Sequence, residues 1–162
     1  MFRNKSLEGE LTTLIMQNKD SFYRLAYSYV RNQEDALDIV QDSIHKALKK
    51  QHQLKDAYTI KSWFYRIVVT TSLDFLRKRK RWSVTDDQNL ELLLEGSEDQ
   101  YKDLDLEQAM EKLPLPYKTI IILRFFEDLK LDEIASVLDE NINTVKTKLY
   151  KALKLLRIEM DE

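Results

Sequence analysis

The sequence contains no cysteine, and its 162 residues include only two glycines and two prolines. Without cysteine there is no disulfide framework, no thiolate metal site and no cysteine nucleophile. So few turn residues cannot supply the tight turns of a meandering β-fold, which favours an all-α protein. Long hydrophobic runs are also lacking, and Met1 to Gln17 carries Glu8 and Glu10 where a signal peptide would be apolar. We therefore expect a cytoplasmic protein.

The net charge of −2 conceals an uneven distribution along the chain. Residues 1–82 hold 16 basic and 9 acidic side chains, residues 83–105 hold 1 and 8, and residues 106–162 hold 9 and 11. The central acidic strip has the composition of a linker, and a flexible coil of this length spans about 25–30 Å on average. The sequence thus predicts two small helical domains, 1–82 and 106–162, joined by an acidic linker over 83–105 that lets them lie well apart.

Apolar residues at helical spacing predict three helices in the first domain, over Ser21–Val30, from Asn32 to Leu48, and from Thr59 to Leu76. The apolar side of the second helix is predicted to consist of Leu37, Val40, Ile44 and Leu48. Its other side carries a continuous acidic stripe, formed by Asp35, Asp38 and Asp42. The third helix is apolar on nearly every side in its first half, which predicts a central position in a helical bundle.

In the second domain the pattern predicts four helices, over Leu106–Lys112, from about Pro116, over Leu131–Leu138 and over about Asn143–Arg157. Four residues separate the last two, which is the length of a helix-turn-helix connection. The last helix has an apolar side and a basic side, and the basic side can donate to phosphates and base edges. The residues nearest a major groove would be Asn143, Thr144, Thr147, Lys148 and Lys151. A solvated surface helix is the alternative interpretation.

Five consecutive basic residues, Arg77 to Arg81, follow the third predicted helix. A solvated helix end or a nuclear localisation signal would give a similar string, but five cations exceed what capping requires. Each cation placed on a phosphate releases a counterion, so a nucleic-acid backbone is the expected partner. The preceding aromatic residues suit either a protein core or the stacking of an unpaired base, and they are Trp63, Phe64, Tyr65 and Phe75.

Three segments, in order along the chain, resemble motifs of the extracytoplasmic-function sigma factors. Glu34-Asp-Ala-Leu-Asp-Ile-Val-Gln-Asp-Ser-Ile-His-Lys-Ala47 resembles their polymerase-binding helix, and Trp63 to Arg81 resembles their promoter-melting region. The segment from Leu113 to Ala152, with Asp132-Glu-Ile-Ala135 and Asn143-Thr-Val-Lys146, resembles their second DNA-binding domain. The resemblance covers nearly the whole chain. It implies a sigma factor that binds core RNA polymerase and directs promoter-specific initiation.

The resemblance also implies three groups of site residues. Core polymerase would bind Asp35, Asp38, Gln41 and Asp42. The minus-ten element would be opened and recognised by Trp63, Phe64, Tyr65, Arg66, Thr70, Asp74, Arg77, Lys78, Arg79, Lys80 and Arg81. The minus-thirty-five element would be recognised by Asn143, Thr144, Lys146, Thr147, Lys148 and Lys151.

The implied partners are core RNA polymerase, promoter DNA and an anti-sigma factor, which is often membrane-anchored in this family and could hold the protein at the membrane. We expect no catalytic residue, metal, cofactor or small-molecule substrate. The lone pair Asp42 and His45 is weak evidence for a metal site without a second such motif. A helix-turn-helix regulator with an N-terminal sensing or dimerising domain is the main rival, and an adaptor of stacked helices is a more distant one.

The chain departs from the family pattern at four positions. Thr70 stands where an asparagine usually lines the base pocket, so the family's base preference does not carry over directly. Asp139 replaces the usual glycine of the helix-turn-helix turn, and Glu140 replaces the apolar residue after it. Lys130 replaces the capping serine before Leu131. The three changes at positions 130, 139 and 140 predict a turn of altered shape or a less stable second domain.

Overall fold

The computed structural model describes residues 2–56, 59–82 and 105–161, and these residues form helices and no strand. The α-helices are α1 (Phe2–Gln17), α2 (Lys19–Val30), α3 (Gln33–Lys50), α4 (Ile60–Trp82), α5 (Asp105–Lys112), α6 (Leu115–Ile121), α7 (Leu131–Leu138) and α8 (Ile142–Asp161). A 3-10 turn at Gln51–Gln53 follows α3, and a π-helical turn at Ile122–Phe126 extends α6. The all-α prediction is confirmed. The predicted linker lies outside the described residues, apart from Asp105.

Local signals set the starts of two helices where the sequence predicted them. The Asn32 side chain accepts a 3.0 Å hydrogen bond from the Asp35 N–H and so caps α3. Pro116 lies in the first turn of α6, where its missing N–H costs no hydrogen bond. Helix α1 was not among the predicted helices, although Leu7, Leu11 and Ile15 recur at the four-residue spacing that indicates a helix.

The packing face of α3 differs from the predicted one. Its buried side chains are Ala36, Ile39, Val40, Ser43 and Ala47. Leu37 and Leu48 are instead 53% and 45% exposed. Three small residues on the buried side let the α3 backbone approach α2 and α4 closely. The prediction that Leu37 and Leu48 face the core was therefore wrong, because it weighed hydrophobicity without residue size.

The first three helices, α1, α2 and α3, pack around α4. Phe22 of α2 packs on two fully buried rings of α4, with ring-centroid distances of 4.4 Å to Phe64 and 5.1 Å to Tyr65. Aromatic pairs at such distances add to the free energy gained by burying the rings. The central position predicted for this helix is confirmed. The same helix, α4, continues from the core without interruption into the basic run that begins at Arg77.

The predicted helix-turn-helix is formed by α7 and α8. Asp139 ends α7 in the left-handed conformation, at φ 54° and ψ 47°, which glycine would adopt without strain. The Glu140 N–H then closes the turn by donating to the Ala135 carbonyl at 2.9 Å. At the start of α7, the Glu133 carboxylate accepts the Lys130 N–H at 2.9 Å. Lysine has no acceptor, so only this half of a capping box can form.

The two halves of the chain pack against each other, with α4 on α7 and α2 on α6. Buried hydrogen bonds cross the contact, since the Thr119 hydroxyl donates to the Tyr29 hydroxyl at 2.7 Å and the Tyr65 hydroxyl donates to Glu127. The buried apolar residues of both halves form one continuous cluster. A linker of the predicted length lets the halves lie well apart, but in this structure they are in contact. Linker length limits how far two domains can separate, whereas surface complementarity decides whether they meet.

Candidate nucleic-acid interface

The acidic stripe of α3 lies on the surface. Asp38, Gln41 and Asp42 are exposed and adjacent, and Asp42 Oδ2 lies 3.4 Å from Lys46 Nζ one turn away. Asp35 is half-buried at the edge of the stripe, with Oδ2 3.8 Å from Arg79 Nη1. The structure thus brings together three of the four residues predicted to bind polymerase, and it pairs the fourth with the basic run of α4.

Exposed Leu37 and Leu48 lie on the same side of α3 as Gln41. Both were predicted to lie on the apolar, core-facing side of the helix, so neither was expected at the surface. Apolar side chains next to carboxylates give a surface that suits protein contact better than nucleic acid, whose phosphates would repel the carboxylates. The face formed by Leu37, Asp38, Gln41, Asp42 and Leu48 is called the α3 face below.

Two aromatic residues predicted to contact the minus-ten element are inaccessible. Phe64 is 0% and Tyr65 is 1% exposed, and both pack on Phe22 in the core. Neither ring can stack on a base while the bundle is folded, so their assignment to DNA contact was wrong. Trp63 is half-buried and keeps part of its side chain at the surface. Two of these three aromatic residues are therefore core residues.

The exposed side of α4 retains the polar residues of the prediction. Thr70 is exposed, and its hydroxyl donates to the Arg66 carbonyl at 2.9 Å, so its oxygen lone pairs remain for an outside donor. Asp74 lies one turn on, with Oδ1 3.4 Å from Arg77 Nη1. Arg66 itself reaches across to the second half, where Nη1 donates to the Ser136 carbonyl at 3.3 Å.

The basic run at the end of α4 is largely exposed. Arg77, Lys78 and Lys80 are on the surface, and Arg79 is half-buried, where Nη1 lies 3.4 Å from the Val30 carbonyl oxygen. The side chain of Arg81 lies outside the described residues. The described cations thus form a positive surface at the end of α4, available to a polyanion.

The last helix divides as predicted into a buried apolar side and an exposed polar side. Val145 and Ala152 are fully buried against the partner helices. Its cap is Asn141, whose Oδ1 accepts the Asn143 N–H at 2.8 Å, so α8 begins one residue earlier than predicted. The exposed predicted DNA-contacting residues are Asn143, Thr144, Lys146, Thr147 and Lys151. Lys148 differs from them because it is half-buried, with Nζ 2.5 Å from Glu140 Oε1.

A groove of about 380 Å³ between α2 and the α5–α6 segment carries an excess of positive charge. Arg24, Arg31 and Lys118 line it, and Glu111 lies 2.6 Å from Arg31. Burial and the neighbouring Arg31 lower the pKa of Lys118, because both disfavour its ammonium form. The apolar wall consists of Tyr27, Leu106, Met110, Ile122 and Phe126.

Within the described residues, no group of three or more His, Asp and Glu side chains is placed to hold a metal ion. The pair Asp42 and His45 finds no further ligand there. None of the described helices is both long and apolar enough to cross a membrane.

Two segments of this chain match models of two regions of one known protein family. Residues 14–82 match the model of Sigma-70 region 2, and residues 103–156 match that of Sigma-70, region 4. The chain is 58% identical over 160 residues to the RNA polymerase sigma factor SigV of Bacillus subtilis, covering 99% of this chain and 96% of that protein. It is 29% identical over 157 residues to the ECF RNA polymerase sigma factor SigW of the same organism, covering 88% and 84%.

Two solved structures share the fold at low sequence identity. One is the sigma factor RpoE in complex with the anti-sigma factor NepR from Bartonella quintana, with a TM-score of 0.74, 20% identity and coverage of 93% of this chain and 96% of that one. The other is CnrH in complex with the cytosolic domain of CnrY, with a TM-score of 0.69, 19% identity and coverage of 98% and 97%.

The chain belongs to the extracytoplasmic-function sigma factors of the sigma-70 family. It is therefore a transcription initiation factor and not an enzyme. The rival hypotheses of a different helix-turn-helix regulator and of a stacked-helix adaptor are set aside, because neither accounts for region 2 preceding region 4.

Proposed function

We propose that this sigma factor binds core RNA polymerase through residues 1–82, which also open the minus-ten element, and recognises the minus-thirty-five element through residues 106–162, with 83–105 as the linker. One observation carries the proposal. A single fold presents an acidic and apolar face on α3 for a protein, and separate basic surfaces on α4 and α8 for DNA.

Core polymerase binds the α3 face. Its carboxylates, at Asp38 and Asp42, would pair with basic residues of the large partner, and Gln41 between them both donates and accepts. Leu37 and Leu48 would bury apolar surface, which supplies binding free energy that surface ion pairs alone lack. Asp35 contributes at the edge, where it also holds Arg79.

The minus-ten strand lies along the exposed side of α4. Trp63 offers the accessible aromatic surface, and Thr70 and Asp74 offer acceptors to an unpaired base. Phosphates are bound by Arg66 and by the cations of the basic run, Arg77, Lys78, Arg79, Lys80 and Arg81. Phe64 and Tyr65 act from the core, where they hold α4 in position.

The minus-thirty-five element is recognised by the N-terminal part of α8, which enters the major groove. Asn143 and Thr144 lie in the first turn, where a recognition helix meets base edges. The cations that follow position the helix on the phosphates. This set consists of Lys146, Lys148 and Lys151, with Thr147 between them.

An anti-sigma factor is a further partner, and the protein acts in the cytoplasm, where an anchored anti-sigma factor would hold it at the membrane. Support comes from a structural relative, RpoE, which shares this arrangement of helices and is bound to the anti-sigma factor NepR. A second relative with the same arrangement, CnrH, is bound to the cytosolic domain of another protein, CnrY. The groove between α2 and α5–α6 suits an acidic amphipathic helix, because it combines an apolar wall with Arg24, Arg31 and Lys118.

Run-off transcription tests the proposal. Purified chain and core RNA polymerase are incubated with genomic DNA fragments, and the 5′ ends of the transcripts are mapped. We expect discrete start sites that core polymerase alone does not use. A shared upstream motif pair at these sites would identify both promoter elements. Transcripts indistinguishable from those of core polymerase alone would reject the proposal.

A further inference from the structure

The turn between α7 and α8 carries two consecutive carboxylates, Asp139 and Glu140, and each contacts a cation from a different proposed DNA-binding surface. Asp139 Oδ2 lies 3.7 Å from Nη2 of Arg66, which belongs to the minus-ten surface. Glu140 Oε1 lies 2.5 Å from Nζ of Lys148, which belongs to the minus-thirty-five helix. Two neighbouring acids therefore hold one cation from each half of the protein.

These four side chains meet in one cavity of about 260 Å³ between the two halves. Thr70 lines the same cavity, so the exposed side of α4 opens into it. Glu140 Oε2 is buried and has no hydrogen-bond partner among the described residues. The turn thus directs more acceptor capacity into the cavity than its present contacts use.

Stability alone does not account for the acid at position 139. The side chains of Arg66 and Asp139 are 46% and 82% exposed, and such a pair contributes little to folding. Aspartate also fits the left-handed conformation of position 139 less well than glycine does. The chain therefore has a carboxylate at a position where the turn itself favours glycine.

We propose that the Asp139-Glu140 turn competes with DNA inside the free protein. A carboxylate offers a guanidinium or an ammonium group the same kind of charged oxygen acceptor as a phosphate does. Arg66 and Lys148 must leave these acceptors before they can bind a promoter, so the two ion pairs lower the DNA affinity of the isolated chain. This inference rests on the proposed function, which assigns both cations to DNA contact.

The test is a binding experiment on the full-length chain with the double variant Asp139→Asn/Glu140→Gln. Asparagine adopts the left-handed conformation well, so the turn keeps its shape while both charges disappear. The probe is a fluorescent forked DNA of random sequence, because phosphate contacts are independent of sequence. We expect the variant to bind about three- to tenfold more tightly than the wild type, with a steeper salt dependence.

The matched control is Glu8→Gln/Glu10→Gln, which removes the same charge from exposed positions of α1. A gain no larger than that of this control would overturn the inference. Adding Arg66→Ala and Lys148→Ala to the turn variant should abolish the gain, and a gain that persists also overturns it. Run-off transcription by Arg66→Ala and Lys148→Ala in the otherwise wild-type chain separates the two hypotheses, because undiminished transcripts would reject the proposed DNA contacts themselves.

Discussion

The Tyr65 hydroxyl donates a 2.7 Å hydrogen bond to Glu127 Oε2 in the buried contact between the two halves of the chain. The other carboxylate oxygen, Glu127 Oε1, is buried without a hydrogen-bond partner among the described residues. Lys61 donates to the Glu127 backbone carbonyl at 3.3 Å. This carboxylate therefore depends on the tyrosine of α4 for its side-chain hydrogen bond, and the pair couples α4 to the second half of the chain.

Replacing Tyr65 with Phe should lower the free energy of unfolding by about 1–3 kcal/mol, because it leaves a buried carboxylate unsatisfied. Urea denaturation followed by circular dichroism measures the change. Tyr150→Phe is the matched control. The Tyr150 side chain is 77% exposed, so removing its hydroxyl removes only hydrogen bonds to water. Equal stability of the two variants would contradict the role assigned to the hydrogen bond.

Alkaline pH should destabilise the protein through its buried tyrosines. Burial raises the pKa of Tyr29 to about 12. Burial, and then the adjacent Glu127, raise the pKa of Tyr65 as well. A tyrosine in the unfolded chain ionises near pH 10, so above about that pH the unfolded state binds fewer protons than the folded state and stability falls.

Urea denaturation at a series of pH values measures this effect. The loss for Tyr29 should develop between about pH 10 and 12. Tyr29→Phe should make the decline shallower over that window, whereas Tyr150→Phe should follow the wild type. A decline of the same steepness in all three proteins would mean that Tyr29 is not the group responsible.

Charge reversal on the α3 face should weaken polymerase binding. We expect Asp38→Lys/Asp42→Lys to reduce affinity for core polymerase about tenfold or more, because the variant presents like charges to a basic partner. Helical content should not change, since the surface pair that Asp42 forms with Lys46 contributes little. Co-purification at increasing salt is the measurement, with Glu8→Lys/Glu10→Lys as the control. A double variant that co-purifies like this control would place the interface elsewhere.

Thr70→Asn should change the preference for one base of the minus-ten element. The threonine hydroxyl is bonded to its own helix, whereas an asparagine amide can donate and accept towards a base at once. A well-made base contact contributes about 1–3 kcal/mol of discrimination. Transcription from a promoter library randomised at both elements measures the change, and the minus-thirty-five preference serves as the internal control. An unchanged minus-ten profile from an active variant would leave Thr70 a helix-packing residue.

The helices and their order follow from local patterns in the sequence. The periodicity over Leu131–Leu138 matches α7 residue for residue, and Asn32 marks the start of α3 as predicted. Both are local, because a cap or an amphipathic face depends on residues three or four positions apart. The acidic stripe on α3 and the basic side of α8 were predictable for the same reason, as was the family from three motifs in order.

The tertiary structure alone decided which of these faces meet. Leu37 and Leu48 are apolar yet exposed, because α3 packs through small residues, and Phe64 and Tyr65 lie in the core because Phe22 occupies the space beside them. The pair Tyr65 and Glu127 is 62 positions apart, and the contact of Arg66 with Ser136 spans 70. No periodicity encodes such distances, since each contact depends on how whole helices pack once apolar surface from both halves is buried together.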